Sequence, residues 1–218
     1  MIDAMQTPMR LLTLPEPFDH DDFLFEIKWD GFRALAMVDG GQCQLISRNG
    51  NPFKQWDTLK RDIAATLRGR SAILDGELVC LAPDGRARFH RLMFRCEAPF
   101  YMAFDLLELD GEDLREFPQL ERKRQLRRLI PRESSRLRYV DHITGRGCAL
   151  FAAACRRDLE GVVAKWAHGS YQRGLATSWL KIRNPQYSQM EGRRELFEAR
   201  RPAKVTRIRG AVTVLRLA

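Results

Sequence analysis

Four charged residues fall within a short stretch near the start of the chain, in Leu24-Phe25-Glu26-Ile27-Lys28-Trp29-Asp30-Gly31-Phe32-Arg33. Its period-two alternation predicts a strand with Glu26, Lys28 and Asp30 on one side and Phe25, Ile27 and Trp29 on the other. Asp30-Gly31 predicts a tight turn, after which Arg33 returns on a second strand. An acid, an amine, an acid and a guanidinium thereby converge on one patch. Taken alone, this pattern also fits a surface hairpin with scattered charges. Two later segments carry comparable groups. Asp75 and Glu77 alternate onto one face of a strand with apolar neighbours Leu74, Leu78 and Val79, so their carboxylates need partners to be tolerated. Trp179, Lys181 and Arg183 share a face as well, and a pair of cations suits a phosphate.

The elements that must position these groups follow from pattern and punctuation. Residues 1–22, broken by Pro8, Pro15 and Pro17, read as an extended lead-in. Strands are expected over Phe32 to Val38 and Gln42 to Ser47, joined by the hairpin signal Asp39-Gly40-Gly41. A helix is expected from Trp56 to Leu67, and a strand from Ser71 to Leu81. A short helix at Phe89 to Phe94 precedes a strand from Phe100 to Leu109, which Asp110-Gly111 ends. Pro118 starts a helix over Gln119 to Leu129 whose outer face is basic. A strand from Leu137 to Ile143, a helix from Ala149 to Arg157, and strands Gly161 to Trp166 and Ser178 to Arg183 complete the motif-bearing region. This mixture predicts an α+β fold with mainly antiparallel sheets flanked by helices. A strand is also expected within Val205 to Leu217.

At 218 residues the chain is long enough for a full core, and 44% hydrophobic with 30% charged residues is a globular composition. A net charge of +9 favours an anionic partner such as nucleic acid. Residues 184–218 are especially basic, with eight Lys and Arg against three Glu. The five cysteines lack a Cys-x-x-Cys pair, so neither a disulfide framework nor a zinc site is indicated, and buried reduced thiols are expected. No signal core or membrane span is visible in the sequence, and a cytoplasmic location of bacterial type is expected.

Lys28-Trp29-Asp30-Gly31-Phe32-Arg33 resembles the nucleophile motif of ATP-dependent DNA ligases and mRNA capping enzymes. Five further segments resemble that family's motifs in order: Ser47-Arg48-Asn49-Gly50, Leu74-Asp75-Gly76-Glu77-Leu78, Phe104-Asp105-Leu106-Leu107, Glu160-Gly161-Val162-Val163-Ala164-Lys165 and Ser178-Trp179-Leu180-Lys181-Ile182-Arg183. The chain is therefore identified as a member of the nucleotidyltransferase (adenylation) family of ATP-dependent DNA ligases, and it looks like the ligase domain of bacterial end-joining ligases. The resemblance runs over roughly residues 8–197, and implies an ATP-grasp-like nucleotidyltransferase fold. It implies a domain over 1–190 and a basic tail over 191–218 without a complete OB-fold. Where the family has a second lysine this chain has Arg183, which keeps the charge and changes the hydrogen-bond geometry.

The roles implied by the resemblance are these. Lys28 is the catalytic nucleophile. Glu26, Arg33, Arg48, Glu77, Phe104, Lys181 and Arg183 join Lys28 in binding nucleotide, Phe104 by stacking on adenine. Glu77 and Glu160 bind a divalent metal, magnesium. The cofactors are ATP and Mg2+, and the product of the first step is AMP joined to the Lys28 amine. That AMP then passes to a 5′-phosphate for sealing of nicked duplex DNA, in repair, recombination or replication. A repair partner protein and a monomeric state are expected. With 27 residues before Lys28, the nicotinamide-binding segment of NAD-dependent ligases is not expected. Two alternatives remain open: a non-catalytic module that binds nicks or nucleotide, and an RNA ligase or capping-type enzyme.

Overall fold

The computed structural model describes residues 7–132 and 136–190, together with the backbone of the short strands at 207–208 and 211–212. In chain order the strands are β1 (Arg10–Thr13), β2 (Phe23–Ile27), β3 (Phe32–Asp39), β4 (Gln42–Ser47), β5 (Ala72–Val79), β6 (Phe100–Leu109), β7 (Glu112–Asp113), β8 (Leu137–Tyr139), β9 (His142–Thr144), β10 (Gly161–Trp166) and β11 (Ala176–Arg183). Helices α1 (Asp57–Thr66), α2 (Phe89–Met93), α3 (Gln119–Leu129) and α4 (Gly147–Arg156) are interspersed among them. The fold is α+β, as its alternations predict. These elements lie in a unit of Met1–Tyr187. Beyond it come a 3-10 turn, Ser188–Met190, and two-residue strands β12 (Arg207–Ile208) and β13 (Ala211–Val212), which pair antiparallel. The rest of the basic tail, and most of the strand expected there, lie outside the described residues.

Two sheets make up the main unit. One has five strands in the order β1-β11-β10-β2-β9; the other has the order β4-β3-β5-β6-β7, with β8 alongside β6. All pairings in the two are antiparallel except β1 with β11 and β6 with β8. The six-stranded sheet packs α1 and α3 through Leu59, Ile63 and Leu126 against Ala36, Leu74 and Leu106. A second apolar cluster, with Leu35, Ile73 and Leu107 from this sheet and Trp179 and Tyr171 from the other side, joins the two sheets.

Four expectations are corrected. Phe23–Ile27 and Phe32–Asp39 do not form a hairpin across Asp30-Gly31; they belong to different sheets, and residues 28–31 carry the chain from one to the other. Gly31 is needed for a close approach, because a Cβ there would collide with the carbonyl oxygen of Leu78. By contrast, Gly40 and Gly41, both with positive φ, do make the two-residue loop between β3 and β4, with Asp39 opposite Gln42. The strand expected over Leu137 to Ile143 is two strands, β8 on one sheet and β9 on the other. The lead-in is also more than a tail: β1 is the edge strand beside β11. All five cysteines are free, but only Cys80 is buried, while Cys96 and Cys148 are exposed.

Candidate active site

A cleft opens where the two sheets face each other. Glu26, Lys28, Val163, Lys165 and Trp179 line it from the five-stranded sheet, Arg33, Glu77 and Phe104 from the other, and Trp29 from the crossing segment. Lys28 follows β2 directly, and its backbone N–H donates to Gly161 O at 2.9 Å. Its Nζ lies 2.6 Å from Glu160 Oε2, with the lysine side chain 19% exposed and the glutamate 7%. Glu160 ends the turn before β10, next to Gly161, whose positive φ and close contact with Ile182 O exclude a side chain.

Glu77 stands on β5 opposite Arg33 of β3. Its carboxyl makes no hydrogen bond among the described residues. Burial pushes it up to about 8, against the pull of Lys28 and Arg33 and with the help of Glu160 and Asp30. The Lys181 amine is lowered by desolvation, then by Arg183, Lys28 and Arg48, while Glu160 raises it. Lys181, Arg183, Arg48 and Glu160 are not among the residues that line the cleft; their charges act on one another and on Lys28 from beside it. Arg48 and Arg183 are exposed, Lys181 half-buried.

Arg33 and Glu26 are brought to the cleft with their charged ends already engaged. The Arg33 guanidinium donates to both oxygens of Asp75, at 3.0 and 2.6 Å, and to Met9 O at 2.6 Å. It also sits 5.4 Å from the ring centres of Phe104 and of Trp179. Tyr171 completes this knot, donating to Asp75 Oδ2 at 2.7 Å and accepting from Met9 N at 2.9 Å. Asp75 is thereby the partner-seeking mid-strand acid that the sequence indicated, and Arg33 satisfies it. Glu26 is expected on a wet face but is buried, with its two oxygens 2.7 Å from Lys123 Nζ and 2.8 Å from Lys165 Nζ. Asp30, the third member of the supposed wet face, is buried too and accepts from Tyr187 OH at 3.0 Å.

Lys165 is the cleft residue that sequence reasoning passed over. Its Nζ lies 4.4 Å from the ring centre of Phe104 and 4.2 Å from that of Trp179, and donates to Phe104 O at 3.2 Å. Desolvation lowers it to about 8, with Glu26 opposing and Lys123 adding to the drop. A lysine inside the apolar run Gly161-Val162-Val163-Ala164-Lys165 was the available signal. Lys123 and Arg122 of α3, expected on a basic outer face, are fully buried; Arg122 is paired with Asp105 at both oxygens, each at 2.9 Å.

Among the described residues no cluster of three or more His, Cys, Asp or Glu could hold a metal on protein ligands alone. Two coupled carboxylates, Glu77 and Glu160, fit instead the sparse protein ligation of magnesium, which completes its shell with water and substrate phosphate. The arrangement suits a lysine nucleophile acting on a polyphosphate: an amine against a carboxylate, in a cleft that Phe104 and Trp179 also line.

A family model described as ATP dependent DNA ligase domain matches residues 13–183. The chain is similar to the multifunctional non-homologous end joining protein LigD of Pseudomonas aeruginosa, 31% identical over 190 residues, which are 82% of this chain and 23% of that protein. It is similar to the SPbeta prophage-derived DNA ligase-like protein LigB of Bacillus subtilis, 30% identical over 84% of this chain and 69% of that protein. A solved structure, mycobacterial DNA ligase D complexed with ATP and MES, matches with a TM-score of 0.69 and 30% identity over 81% of this chain and 60% of that one. The chain thus spans under a quarter of the length of the Pseudomonas relative.

Proposed function

The chain belongs to the family of ATP-dependent DNA ligase domains, and from that membership we propose that it adenylates itself on Lys28 and passes the AMP to a 5′-phosphate of nicked duplex DNA. The observation that carries this reading is the Lys28–Glu160 contact of 2.6 Å at a cleft also lined by Glu77 and Phe104. An ordinary lysine is protonated near neutrality and has no lone pair to offer. The Glu160 carboxylate beside Lys28 is suited to receive its proton as the Nζ–P bond forms and the bond from the α-phosphorus to pyrophosphate breaks.

The nucleotide base enters the recess of Phe104 and Trp179, where Lys165 offers a donor and Glu26 an acceptor. Lys181, Arg183 and Arg48 neutralise the phosphates. Arg33, tied to Asp75 and Met9, shapes the wall between base and phosphates. Glu77 and Glu160 would hold Mg2+, which supplies charge neutralisation on the phosphate oxygens. AMP then moves from Lys28 to the DNA 5′-phosphate, and the 3′-hydroxyl of the break displaces it to close the strand. The similarity to the end joining protein LigD favours end joining as the setting; a repair protein as partner and a monomeric acting form are part of the same proposal.

Incubation with α-labelled ATP and Mg2+ tests the first step. Label should join the wild-type chain and be absent from Lys28→Ala; equal label on both, or none on the wild type, overturns the reading. Sealing of a nick with a pre-adenylated 5′ end, compared with an unadenylated one, separates the first step from the later two.

A further inference from the structure

The cleft-facing side of the six-stranded sheet carries one row of side chains across four strands. Arg33 of β3 stands opposite Glu77 of β5, Glu77 opposite Met102 of β6, and Met102 opposite Arg138 of β8. Residues paired in register project to the same face, so Arg138 shares the face of Glu77 and Arg33. Packing agrees. Phe100, Met102, Phe104 and Val140 cluster with Trp29 of the cleft, whereas Leu137 and Tyr139 pack on the opposite side with Leu59 and Leu126 of the helices. β8 is held at both ends, by Tyr101 N–H donating to Arg136 O and Val140 N–H donating to Ala103 O, each at 2.8 Å. Among the described residues it pairs with β6 alone, so the row ends at Arg138 on a sheet edge.

Arg136 and Arg138 both approach the ring of Phe100, with Cζ 5.4 and 5.6 Å from its centre. Arg136 donates to Ala98 O at 2.8 Å. Arg138 makes no hydrogen bond or ion pair among the described residues, so its five N–H donors are open. It is half-buried, and the ring beneath it limits the freedom of the guanidinium. The neighbouring arginines differ: Arg33 is tied to Asp75 and Arg122 to Asp105. Two cations on one ring, with no carboxylate bonded to either among the described residues, favour an anion from outside.

We propose that Arg138, with Arg136 beside it, is a positioning residue for DNA: its guanidinium holds a backbone phosphate of the interrupted strand close to the break. This rests on the reading of the cleft as the adenylation site. Two strand spacings separate Arg138 from Glu77, roughly 10 Å. At a rise of about 3.4 Å per nucleotide, that places the phosphate within about three nucleotides of the break. The phosphates of ATP are not the occupant. The cations assigned to them stand elsewhere: Arg48 follows β4 at the opposite edge of this sheet, and Lys181 and Arg183 belong to β11 of the other. Arg138 does not line the nucleotide cleft either. A phosphate contact sets the position of the duplex and reads no bases, so no sequence preference attaches to it.

The experiment is fluorescence anisotropy of a nicked duplex with a pre-adenylated 5′ end, titrated with the full chain in the absence of Mg2+. Arg138→Met keeps an apolar stem against Phe100 and should bind about tenfold more weakly at low salt. Its slope of log affinity against log salt should shrink by about one. Arg138→Lys should restore that slope but only part of the affinity, because an ammonium lacks the guanidinium fork. Single neutral methylphosphonates, placed in turn at the first three phosphates on each side of the break, then locate the contact. One position should weaken wild type about tenfold and leave Arg138→Met unchanged. Self-labelling of Arg138→Met by α-labelled ATP and Mg2+ should keep its wild-type rate, since that step takes no DNA.

Equal affinity and equal salt slope for Arg138→Met and wild type overturn the inference. So does a weaker variant that remains sensitive to every methylphosphonate that wild type senses, which would make Arg138 a structural residue or a contact for an acidic partner protein. A wild-type chain that labels itself but binds no DNA overturns the inference and leaves the cleft reading in place. A wild-type chain that does not label itself overturns the cleft reading, and with it the inference built on it. Should Arg138→Met not fold, the methylphosphonate scan of wild type decides, and absence of any sensitive position near the break overturns the inference.

Discussion

Lys28 Nζ and Glu160 Oε2 are 2.6 Å apart, although 132 residues separate them in the chain. The pair is the join between the end of β2 and the start of β10, and in the proposed adenylation it couples the amine that gives up a proton to the carboxylate that receives it. Lys28→Ala and Lys28→Arg are expected to form no covalent adenylate. Glu160→Gln keeps the shape and removes the charge, and should slow adenylation on the order of 100-fold or more at unchanged melting temperature. Label incorporation from α-labelled ATP, alongside thermal melts, checks both; a Glu160→Gln rate equal to wild type would remove this glutamate from the proposed chemistry.

Asp75 is fully buried and is shared by Arg33 and Tyr171. Asp75→Asn leaves a guanidinium with a weakened partner inside the protein, which costs about 3 kcal/mol or more. The expected result is a clear drop in the urea midpoint with an unchanged slope. A variant as stable as wild type would show that the Arg33–Asp75–Tyr171 knot is dispensable for folding.

Gly76 lies on β5 against the ring of Tyr101, and a Cβ there would come within 2.6 Å of Tyr101 Cζ and 2.8 Å of Met102 O. The Tyr101 ring cannot retreat, because its hydroxyl donates to the carbonyl oxygens of Ala34 and Leu74 at 2.8 and 2.9 Å. Gly76→Ala should therefore destabilise by about 1–3 kcal/mol. Chemical denaturation measures it, and a change below a few tenths of that range would refute the packing argument.

Lys165 has a pKa of about 8 against an ordinary 10.5. Between those values the unfolded chain binds a proton that the folded chain has released, so stability from this group rises with pH across that window. Below about 8 the full penalty of the buried charge is present. The stability of Lys165→Met relative to wild type should therefore be most favourable below pH 8 and decline toward pH 10.5. Denaturation at half-unit steps tests this; a pH-independent difference would mean that Lys165 keeps its proton throughout.

Much of the architecture was legible because it is local. The hairpin at Gly40-Gly41 and the helix at Asp57–Thr66 follow from positive φ and from helical spacing, both of which act within a few residues. That Lys28, Glu77 and Phe104 would meet at one cleft, with Glu160 against Lys28, was legible for another reason, the ordered resemblance of their segments to one family. Sheet membership was not legible. Leu137 to Ile143 shows continuous strand character, yet β8 and β9 join different sheets, and period two carries no information on which neighbour a strand chooses. Burial of Arg122, Lys123 and Glu26 was hidden for the same reason. Each is polar in sequence, and its neutralising partner is supplied by a remote segment. Gly31 shows the converse: Asp-Gly is a common turn signal, but here the missing side chain admits the Leu78 carbonyl.

The crossing at residues 28–31 means that Lys28, the proposed nucleophile, is mounted at the seam of two separately hydrogen-bonded platforms. Its distance to Glu160 is fixed within one platform, whereas its distance to Glu77 depends on how the second is seated against the first. Substitutions among the apolar side chains that weld the platforms, such as Leu35 or Ile73, would then act like a misaligned vice: metal affinity and turnover would fall while each sheet, probed by itself, looked intact.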